Sequence, residues 1–536
     1  MTQPTRILIL GGGFAGVYTG MYLEQLAARH KIPLELTIVN RENYMVFQPL
    51  LPDVISGAIE TLHVVTPIRR MVRSARLVTR EILAIDLEQR TATVGPGFLP
   101  EHLKLEYDHL VIGLGTILDC ARVPGMSEHG LPFKHLGDAL RLRNHIVEVL
   151  EEADVTTDPI ERQRLLTFIV GGGGFSGVEC MAELNDFVSA AIRTSLTIKP
   201  QECRFVLVQG ADRILPEVAP GLAQFAHDIL TRRGIQIRLN TRVVGVSATA
   251  ATLWDTKADA REMVASRTSV VTAPAAPHPI VSSLKCKLER GRIAVNGQLA
   301  VDGQPNVWAV GDCAMIPQGD GQFSPPTAQH ATRQAKTCAQ NIIATIQGKP
   351  LTTFNFPGLG KLGSLGRGQA VAEVFGFKIS GILAWLLWRG VYLSKLPGLD
   401  RKIRVMFDWC CDLFLPRDIT QLRIFPDKDL RREHFEAGQT VFERGDVGDK
   451  LYFVVDGEAE VALASGETKV FKQGDMFGEW ALVDHVPRSA TVRARTQLNV
   501  VSMSREAFEY LITHLPGMRE RIEAVVAKYA EELPRD

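Results

Sequence analysis

The stretch RILILGGGFAG, residues 6–16, decides the fold of the first part of this chain. A short apolar run leads into a GxGxxG pattern formed by Gly11, Gly13 and Gly16, and an amphipathic segment and a second apolar run ending at Asn40 follow. This order predicts a strand, a helix and a second strand. In such a unit the glycines allow a tight turn, close approach of a pyrophosphate and close helix–strand packing. We therefore expect a Rossmann-like α/β domain that binds a dinucleotide.

The same pattern recurs farther along the chain, in LLTFIVGGGGFSGVE at residues 165–179. Gly172, Gly174 and Gly177 hold the three glycine positions, and the next apolar run ends at Gln209. Two such units in one chain predict two dinucleotide sites.

A third strand signal, PNVWAVGDCA at residues 305–314, delivers Asp312 to a strand end. We expect this strand to complete the first Rossmann-like unit, so that the first domain is discontinuous and the second is inserted into it. The length of 536 residues also favours several domains, because one hydrophobic core rarely serves so long a chain.

Five pieces of sequence together resemble the type II NADH:quinone oxidoreductases, a family of two-dinucleotide flavoproteins. The pieces are GGGFAG, NYMVFQPLL (43–51), GGGGFSGVE, WAVGDCA and PPTAQHATRQA (325–335). The resemblance covers residues 1 to about 425. It implies an enzyme that transfers hydride from NADH or NADPH to FAD and then electrons to a membrane quinone, without pumping protons.

The resemblance also implies roles for individual residues. Asp312 would bind FAD, Glu179 would lie near the nicotinamide, and Ala328 with Gln329 would face the flavin and the quinone pocket. Glu179, Gln329 and His330 are therefore the catalytic candidates. For Gln329 and His330 the alternative is a solvated helix start.

One position departs from the family pattern. The family often has a glutamine four residues after Gln329, and this chain has Arg333 there, followed by Gln334. The departure bears on the quinone contacts and leaves the two glycine patterns untouched.

Both predicted second strands end in an amide where Rossmann units usually carry an acid. A carboxylate at this position binds the ribose hydroxyls and repels a 2′-phosphate. This chain has Asn40 in the first unit and Gln209 in the second, with Arg213 four residues later. Gln209 can bind a ribose without repelling a phosphate, and Arg213 can pair with one. The pattern predicts use of both NADH and NADPH, unless Arg213 is only a surface charge.

The cysteines argue against related flavoproteins. Disulfide reductases need a redox cysteine pair, and none of the eight cysteines belongs to a CxxC pair. Sulfide:quinone oxidoreductases use cysteines spread along the chain, as Cys120 and Cys338 are, but the intact glycines of the second unit disfavour that alternative. No Cys/His grouping indicates a metal site, and a formal net charge of zero offers no field for nucleic acid.

These signals divide the chain into five predicted segments. They are 1–120 and 295–350 for the two parts of an FAD-binding domain, 121–294 for an NAD(P)H-binding domain, 351–425 for a membrane-associating segment and 426–536 for a further module. The N-terminus shows no export signal, and no strongly apolar stretch approaches the roughly 20 residues that cross a bilayer. We expect a peripheral protein on the cytoplasmic side of the cell membrane.

Residues 379–415 contain two segments suited to a membrane surface. In the second segment Arg401, Lys402 and Arg404 lie off an apolar helical stripe. The stripe consists of Leu399, Ile403, Met406, Phe407, Cys410, Leu413 and Phe414. The aromatic residues expected at the bilayer interface are Trp385, Trp388 and Tyr392. The pattern predicts a helix pair lying on a membrane; the alternative is packing on the protein's own core or on the partner of a homodimer.

The last segment changes to short strands divided by glycines, which predicts a β-roll. FGEWAL (477–482) and PRSATV (487–492) resemble the cyclic-nucleotide-binding domains of the cyclic-AMP receptor protein and of protein kinase A regulatory subunits. Gly478 would open a helix whose N–H groups take the cyclic phosphate, Arg488 would supply the counter-charge, and Glu479 would accept the ribose 2′-hydroxyl. The predicted pocket residues are Gly478, Glu479, Ala481, Arg488 and Ser489.

Cyclic AMP is the expected effector, and the leading hypothesis is an enzyme regulated by it. The alternative is a redox and cyclic-nucleotide sensor without respiratory turnover. A flavin spectrum that NADH bleaches would distinguish the enzyme from the sensor.

Overall fold

The computed structural model describes residues 3–97, 101–272, 275–319, 321–421, 430–435, 437–446, 448–462, 468–483, 487–505 and 507–508. The chain forms two compact units: the first comprises Met1–Ala92 and Leu105–Leu422, the second Thr93–Lys104 and Arg423–Asp536. The predicted boundary between residues 425 and 426 lies outside the described residues, and the other predicted boundaries stay predictions.

The first unit contains a five-stranded parallel sheet formed by segments far apart in the chain. Its strand order is Val307–Ala309, His109–Ile112, Thr5–Leu10, Leu34–Asn40 and Arg76–Thr79. The central strand buries its apolar side chains, as expected in a parallel sheet covered on both faces. Helix Phe14–His30 follows that strand and packs against helix Ala328–Ile346. The predicted discontinuous Rossmann-like fold is confirmed.

A second five-stranded parallel sheet follows the same plan. Its order is Leu131–Pro132, Thr268–Val271, Thr167–Gly171, Arg204–Val208 and Ile235–Arg238. The helices that contact it include Leu136–Val155, Pro159–Leu165, Phe175–Ala191 and Pro220–Arg232. An antiparallel sheet extends this part through Thr241–Val246, Ala250–Asp255 and Ala260–Ala265.

Residues 360–414 add an antiparallel sheet and two helices to the first unit. The strands are Gly360–Ser364, Ala370–Val374 and Phe377–Ser380. The two helices, Gly381–Lys395 and Leu399–Phe414, are called the helix pair below. Among the described residues, no helix is both long and apolar enough to cross a membrane.

Shorter elements complete the described part of the chain. The helices are Leu51–Ile55, Ile68–Met71, Met126–His129, Pro159–Leu165, Pro279–Ser282 and, in the second unit, Trp480–Val483. The strands are Tyr44–Val46, Val65–Pro67, Ile82–Asp86, Thr91–Val94, Leu103–Glu106, Thr116–Leu118, Ala275–Pro277, Leu288–Glu289, Arg292–Ala294, Ala314–Met315, Pro317–Gly319 and Gln322–Phe323.

The second unit is built from two four-stranded antiparallel sheets, which confirms the predicted β-roll. One sheet has the order Leu430–Phe435, Leu498–Ser504, Lys450–Asp456, Met476–Phe477. The other has the order Thr440–Phe442, Thr491–Ala494, Ala459–Ala462, Thr468–Phe471. Aromatic side chains fill the core, where the rings of Tyr452 and Phe477 stack at 5.2 Å.

Candidate active site and nucleotide sites

The first glycine loop is shaped by two glycines that the protein itself requires. Gly11 has φ +110°, and an added Cβ there would overlap the carbonyl of Gly113. A Cβ on Gly16 would overlap the carbonyl of Gly11. At Gly13, in contrast, a Cβ would meet no atom within 4 Å. Packing therefore does not explain Gly13, whereas close approach of a phosphate to the helix N-terminus would.

The second loop repeats this construction. Gly172 has φ +117°, and a Cβ on Gly177 would overlap the carbonyl of Gly172. Gly174 begins helix Phe175–Ala191 as its N-cap, the position that Gly13 holds for helix Phe14–His30. Each loop thus presents a helix N-terminus of the kind that binds a pyrophosphate.

The two strand-end amides do the same structural task in both loops. The Oδ1 of Asn40 accepts from the N–H of Gly12 at 2.8 Å, and its Nδ2 donates to the carbonyl of Glu42 at 2.8 Å. The Oε1 of Gln209 accepts from the N–H of Gly173 at 3.1 Å, and its Nε2 donates to the carbonyl of Arg213 at 3.1 Å. A carboxylate could accept from the glycine but could not donate to the carbonyl, so the amide is needed for both bonds.

Asp312 lies in the turn Gly311–Cys313, directly after the edge strand of the first sheet. A Cβ on Gly311 would lie 2.9 Å from the Cβ of Ala15, so this turn touches the first glycine loop. Burial raises the pKa of Asp312, while the nearby cations Lys134 and Arg292 oppose that shift. The turn and the loop form one continuous cradle.

Gln334 holds this turn in place, which the sequence did not indicate. Its Oε1 accepts from the N–H of Gly311 at 2.9 Å, and its Nε2 donates to the hydroxyl of Ser324 at 2.8 Å. Arg333, the residue that departs from the family pattern, instead places its guanidinium 4.1 Å from the ring centre of Phe356. The signal for Gln334 was only its place in an amphipathic helix, on the buried side.

Gln329 and Glu179 meet the same strand, Gly360–Ser364, at its two ends. The Nε2 of Gln329 donates to the carbonyl of Gly360 at 3.0 Å. The Oε1 of Glu179 accepts from the N–H of Ser364 at 2.9 Å. Gln329 belongs to the predicted FAD-binding domain and Glu179 to the predicted NAD(P)H-binding domain. The structure thus brings two of the three catalytic candidates to one strand.

His330 points away from solvent and is held locally. Its Nδ1 lies 2.7 Å from the hydroxyl of Thr327, and its ring packs edge-on against Phe356. Its Nε2 is buried and has no hydrogen-bond partner among the described residues. Burial lowers the pKa of His330, so the ring is neutral near pH 7. Ala328, at the start of the same helix, is half-buried.

Glu179 belongs to a group of buried carboxyls that the sequence analysis missed. Burial raises the pKa of Glu179 to about 8 and that of Asp53 to about 6. Glu183 lies one turn after Glu179 on helix Phe175–Ala191, and burial raises its pKa to about 8. Acidic residues within an otherwise apolar helix were the signal that could have found this group.

Cations from the helix pair and the segment after it balance these carboxyls. Arg417 donates from Nε to Asp412 at 2.9 Å and lies 3.6 Å from Glu183. The Nε1 of Trp409 donates to Asp53 at 3.1 Å. We call Asp53, Glu183, Arg389, Asp412 and Arg417 the buried ionic cluster. The cluster joins helix Phe175–Ala191 to the helix pair.

Of the three aromatic residues predicted at a bilayer interface, Trp385 and Trp388 are buried in the core and Tyr392 is half-buried, so their predicted place at that interface is wrong. Trp385 and Trp388 are 7% and 1% exposed. The guanidinium of Arg389 stacks on Trp385 at 3.7 Å, and Trp388 packs against Trp409 and Tyr392. These contacts with the second helix and the buried ionic cluster outweigh the amphipathic preference of an isolated tryptophan.

The predicted apolar stripe of the second helix is exposed. Phe414 is 85% exposed and Phe407 67%, while Val405 and Trp409 on the other side are buried. The first helix adds three exposed residues, Ile382, Leu383 and Leu386. The exposed apolar residues of both helices are called the apolar surface below. They are Ile382, Leu383, Leu386, Leu399, Ile403, Met406, Phe407, Leu413, Phe414 and Leu415. So large a group of exposed apolar side chains is unusual for a protein that does not dock on anything.

In the second unit the predicted pocket residues lie around Arg488. Its guanidinium donates to the carbonyls of Gly478 at 2.8 Å and Lys450 at 2.6 Å and stacks on Phe442 at 4.1 Å. Glu479 is buried, its pKa is raised by burial, and its Oε2 has no hydrogen-bond partner among the described residues. Ala481 is buried and Ser489 is exposed.

Curated relatives match most of this chain. Demethylphylloquinone reductase NdbB of Synechocystis is 30% identical over 407 residues, which cover 75% of this chain and 95% of that protein. Type II NADH:quinone oxidoreductase NdhA of Mycobacterium tuberculosis is 28% identical over 415 residues, which cover 75% of this chain and 86% of that protein.

Family models match three consecutive parts of the chain. Residues 5–335 match pyridine nucleotide-disulphide oxidoreductase, and residues 359–418 match the NDH2 C-terminal domain. The chain belongs to the type II NADH dehydrogenase family. Residues 432–514 match the cyclic nucleotide-binding domain. This NADH dehydrogenase therefore carries a module of that family after its oxidoreductase part.

Solved structures agree with a type II NADH dehydrogenase fold. NDH2 from Plasmodium falciparum has a TM-score of 0.72 at 19% identity and covers 78% of this chain and 100% of its own. The sulfide:quinone oxidoreductase of Aquifex aeolicus has a TM-score of 0.59 at 16% identity over 77% of this chain and 96% of its own, a likeness of fold alone. Cys338, one of the two cysteines considered for that chemistry, is fully buried, and burial raises the pKa of its thiol.

Proposed function

We propose that this NADH dehydrogenase binds FAD at the first glycine loop and NADH or NADPH at the second, and passes the electrons to a quinone. The observation that carries the proposal is the strand Gly360–Ser364, which joins Gln329 of the first domain to Glu179 of the second. Family membership and the names of the relatives support the same reaction.

The residues of the first loop fit a flavin dinucleotide. Gly13 leaves the helix N-terminus accessible, and the turn at Asp312 packs on the loop, so Asp312 would accept hydrogen bonds from flavin hydroxyls. The flavin, when bound, supplies the hydride-accepting chemistry, and the protein supplies alignment and electrostatics.

Glu179 is the group best suited to handle a proton. Reduction of a quinone consumes two protons, and a carboxyl with a pKa of about 8 carries a proton at neutral pH. Its Oε1 is fixed by the N–H of Ser364, so the remaining oxygen is the one that would hold the proton. Gln329 then acts as a positioning residue, because both ends of its amide are bound to residues 359 and 360.

The test is steady-state oxidation of NADH and NADPH by the purified chain with a soluble quinone. We expect a yellow protein whose flavin spectrum bleaches on addition of NADH and recovers on addition of quinone. Bleaching without recovery would favour the alternative of a redox sensor. Turnover with sulfide in place of NADH would favour the sulfide:quinone alternative.

We further propose that the apolar surface docks on the cytoplasmic side of a membrane. Burial of these apolar side chains in a membrane involves no ionic contact, so membrane binding should survive moderate salt. The variant Phe407→Ser/Phe414→Ser should lose co-sedimentation with neutral phosphatidylcholine vesicles, while a matched change at exposed Leu196 and Met263 should not. A wild type that stays in solution and forms a homodimer, with the double variant monomeric, would assign the apolar surface to dimer formation instead.

Finally, we propose that cyclic AMP binds the second unit at Gly478, Glu479, Ala481, Arg488 and Ser489 and alters quinone reductase activity. The unpartnered Oε2 of Glu479 and the buried cation of Arg488 support a polar ligand there. Calorimetry should show heat with cyclic AMP or cyclic GMP, and Glu479→Gln should weaken it without changing basal NADH oxidation. If cyclic AMP binds but turnover on vesicles does not change, the proposed regulation is wrong and the proposed nucleotide site stands.

A further inference from the structure

A basic cleft lies beside the apolar surface, at the turn of the helix pair. It has a volume of about 750 Å³, within the range of ordinary small-molecule sites. Its walls come from the first Rossmann helix, from residues 66–73 and from residues 394–402. Six of the lining side chains are basic and one, Asp400, is acidic. The basic residues are Arg69, Arg70, Arg73, Lys395, Arg401 and Lys402.

The single acid does not neutralise this excess of positive charge. Asp400 pairs with Arg70 at 3.2 Å and lies 3.9 Å from the Nε of Arg401, which is too long for a hydrogen bond. That Nε is buried and has no hydrogen-bond partner among the described residues. Arg73 and Lys395 are exposed, and neither forms an ion pair within the part of the chain that the structure describes. The charge on the walls of the cleft is therefore mainly positive.

The walls of the cleft are not uniformly polar. Tyr18, Met21, Met71 and Leu396 supply apolar surface between the basic groups. Residues 398 and 400 line the cleft, and Leu399 between them is 73% exposed and belongs to the apolar surface. An anion with an attached hydrocarbon chain could thus place its charge in the cleft and its chain along the helix pair.

We propose that this cleft binds the phosphate headgroup of an anionic glycerophospholipid. The phosphate diester would pair with the guanidinium groups, which match phosphate geometry better than ammonium groups do. The first N–H groups of the second helix, whose N-cap is Gly398, lie at the same end and add a partial positive charge. The inference rests on the proposed membrane docking, and it adds a defined lipid site to a general apolar contact.

The test uses a lipid that forms no surface, so that only a defined site can bind it. Short-chain dihexanoyl phosphatidylglycerol, kept below its micelle concentration, is titrated into the FAD-loaded full chain and followed by calorimetry. We expect saturable binding by the wild type, at least tenfold weaker binding by Arg73→Gln/Lys395→Gln, and no saturable binding of dihexanoyl phosphatidylcholine.

The matched control removes two exposed cations outside the cleft, in Lys378→Gln/Arg404→Gln. It should bind the short-chain lipid as the wild type does. Equal loss in both variants, or no saturable binding by the wild type, would overturn the headgroup site. Inorganic phosphate that displaces the lipid at equal concentration would show a free-phosphate site and overturn the lipid assignment.

Neutral vesicles separate this inference from the docking on which it rests. Wild type and both variants should co-sediment equally with phosphatidylcholine vesicles, because that contact is apolar. If they do so while the short-chain lipid fails to bind, the headgroup site is wrong and docking stands. If the wild type binds no vesicles at all, both proposals fail.

Discussion

The two glycine loops and the helices after them have the same backbone design but carry different side chains at matching positions, half-buried in the first helix and buried in the second. GGGFAGVY at residues 11–18 aligns with GGGFSGVE at 172–179, so Tyr18 occupies the position of Glu179. One turn later Tyr22 corresponds to Glu183. Burial raises the pKa of Tyr18 to about 12, so it stays neutral, whereas Glu179 and Glu183 titrate near pH 8. The first helix therefore binds and packs, and the second also carries ionisable groups.

The largest effect is expected from changes at the close-packed glycines. Gly16→Ala would force the Cβ onto the carbonyl of Gly11 and should yield flavin-free protein of lower Tm. Gly177→Ala should keep the flavin but lose its bleaching by NADH. Flavin content and anaerobic reduction measure both.

Gly13→Ala is the control for those two variants. An added Cβ meets no atom within 4 Å, so the Tm of the apoprotein should stay unchanged while FAD affinity falls. Loss of flavin in both Gly16→Ala and Gly177→Ala would break the assignment of one dinucleotide to each loop.

The next effect concerns Arg417, the cation that pairs with Glu183 of helix Phe175–Ala191. Arg417→Met removes the ion pair with Glu183 and the hydrogen bond to Asp412, and it should cost about 3 kcal/mol of unfolding free energy. A carboxyl whose pKa is raised in the folded state stabilises it below the ordinary pKa and loses that contribution as pH rises through the folded value. The drop in Tm should therefore be larger at pH 8 than at pH 6. A loss independent of pH would indicate packing alone.

Glu179→Gln tests whether helix Phe175–Ala191 takes part in proton transfer. In the wild type, quinone reduction should slow as pH rises through about 8, because Glu179 loses its proton there. The glutamine variant should be roughly a hundredfold slower in kcat and should lack this limb of the pH profile. Tyr18→Phe, the matching change in the first helix, should leave the pH profile unchanged.

The smallest effect is expected at the strand-end amides. Gln209→Glu places a carboxylate beside the 2′-phosphate site and should lower kcat/KM for NADPH about tenfold relative to NADH. Asn40→Asp, the matching change beside the first glycine loop, should leave the ratio of kcat/KM for NADPH to kcat/KM for NADH unchanged. Equal losses with both coenzymes in Gln209→Glu would show that its bonds to Gly173 and Arg213 matter only for loop structure.

The helix pair shows where sequence patterns were sufficient and where they were not. Helical spacing correctly predicted the exposed stripe from Leu399 to Phe414, because periodicity tells which residues share a face. It did not tell which face of the first helix would be buried, since that helix is apolar on nearly every side. Trp385 and Trp388 were consequently assigned to the bilayer, and the structure places them against Trp409 and Arg389.

By itself the sequence determined the two glycine loops, their amide-ended strands and the β-roll, because these depend on local backbone geometry and on short periodic patterns. Only the tertiary structure decided that Gln334 holds the turn at Gly311, that Glu179 and Gln329 share one strand, and that Arg417 balances Glu183. These contacts join residues far apart in the chain. They follow from the packing of whole elements, which sets burial and with it the charge state of each buried group.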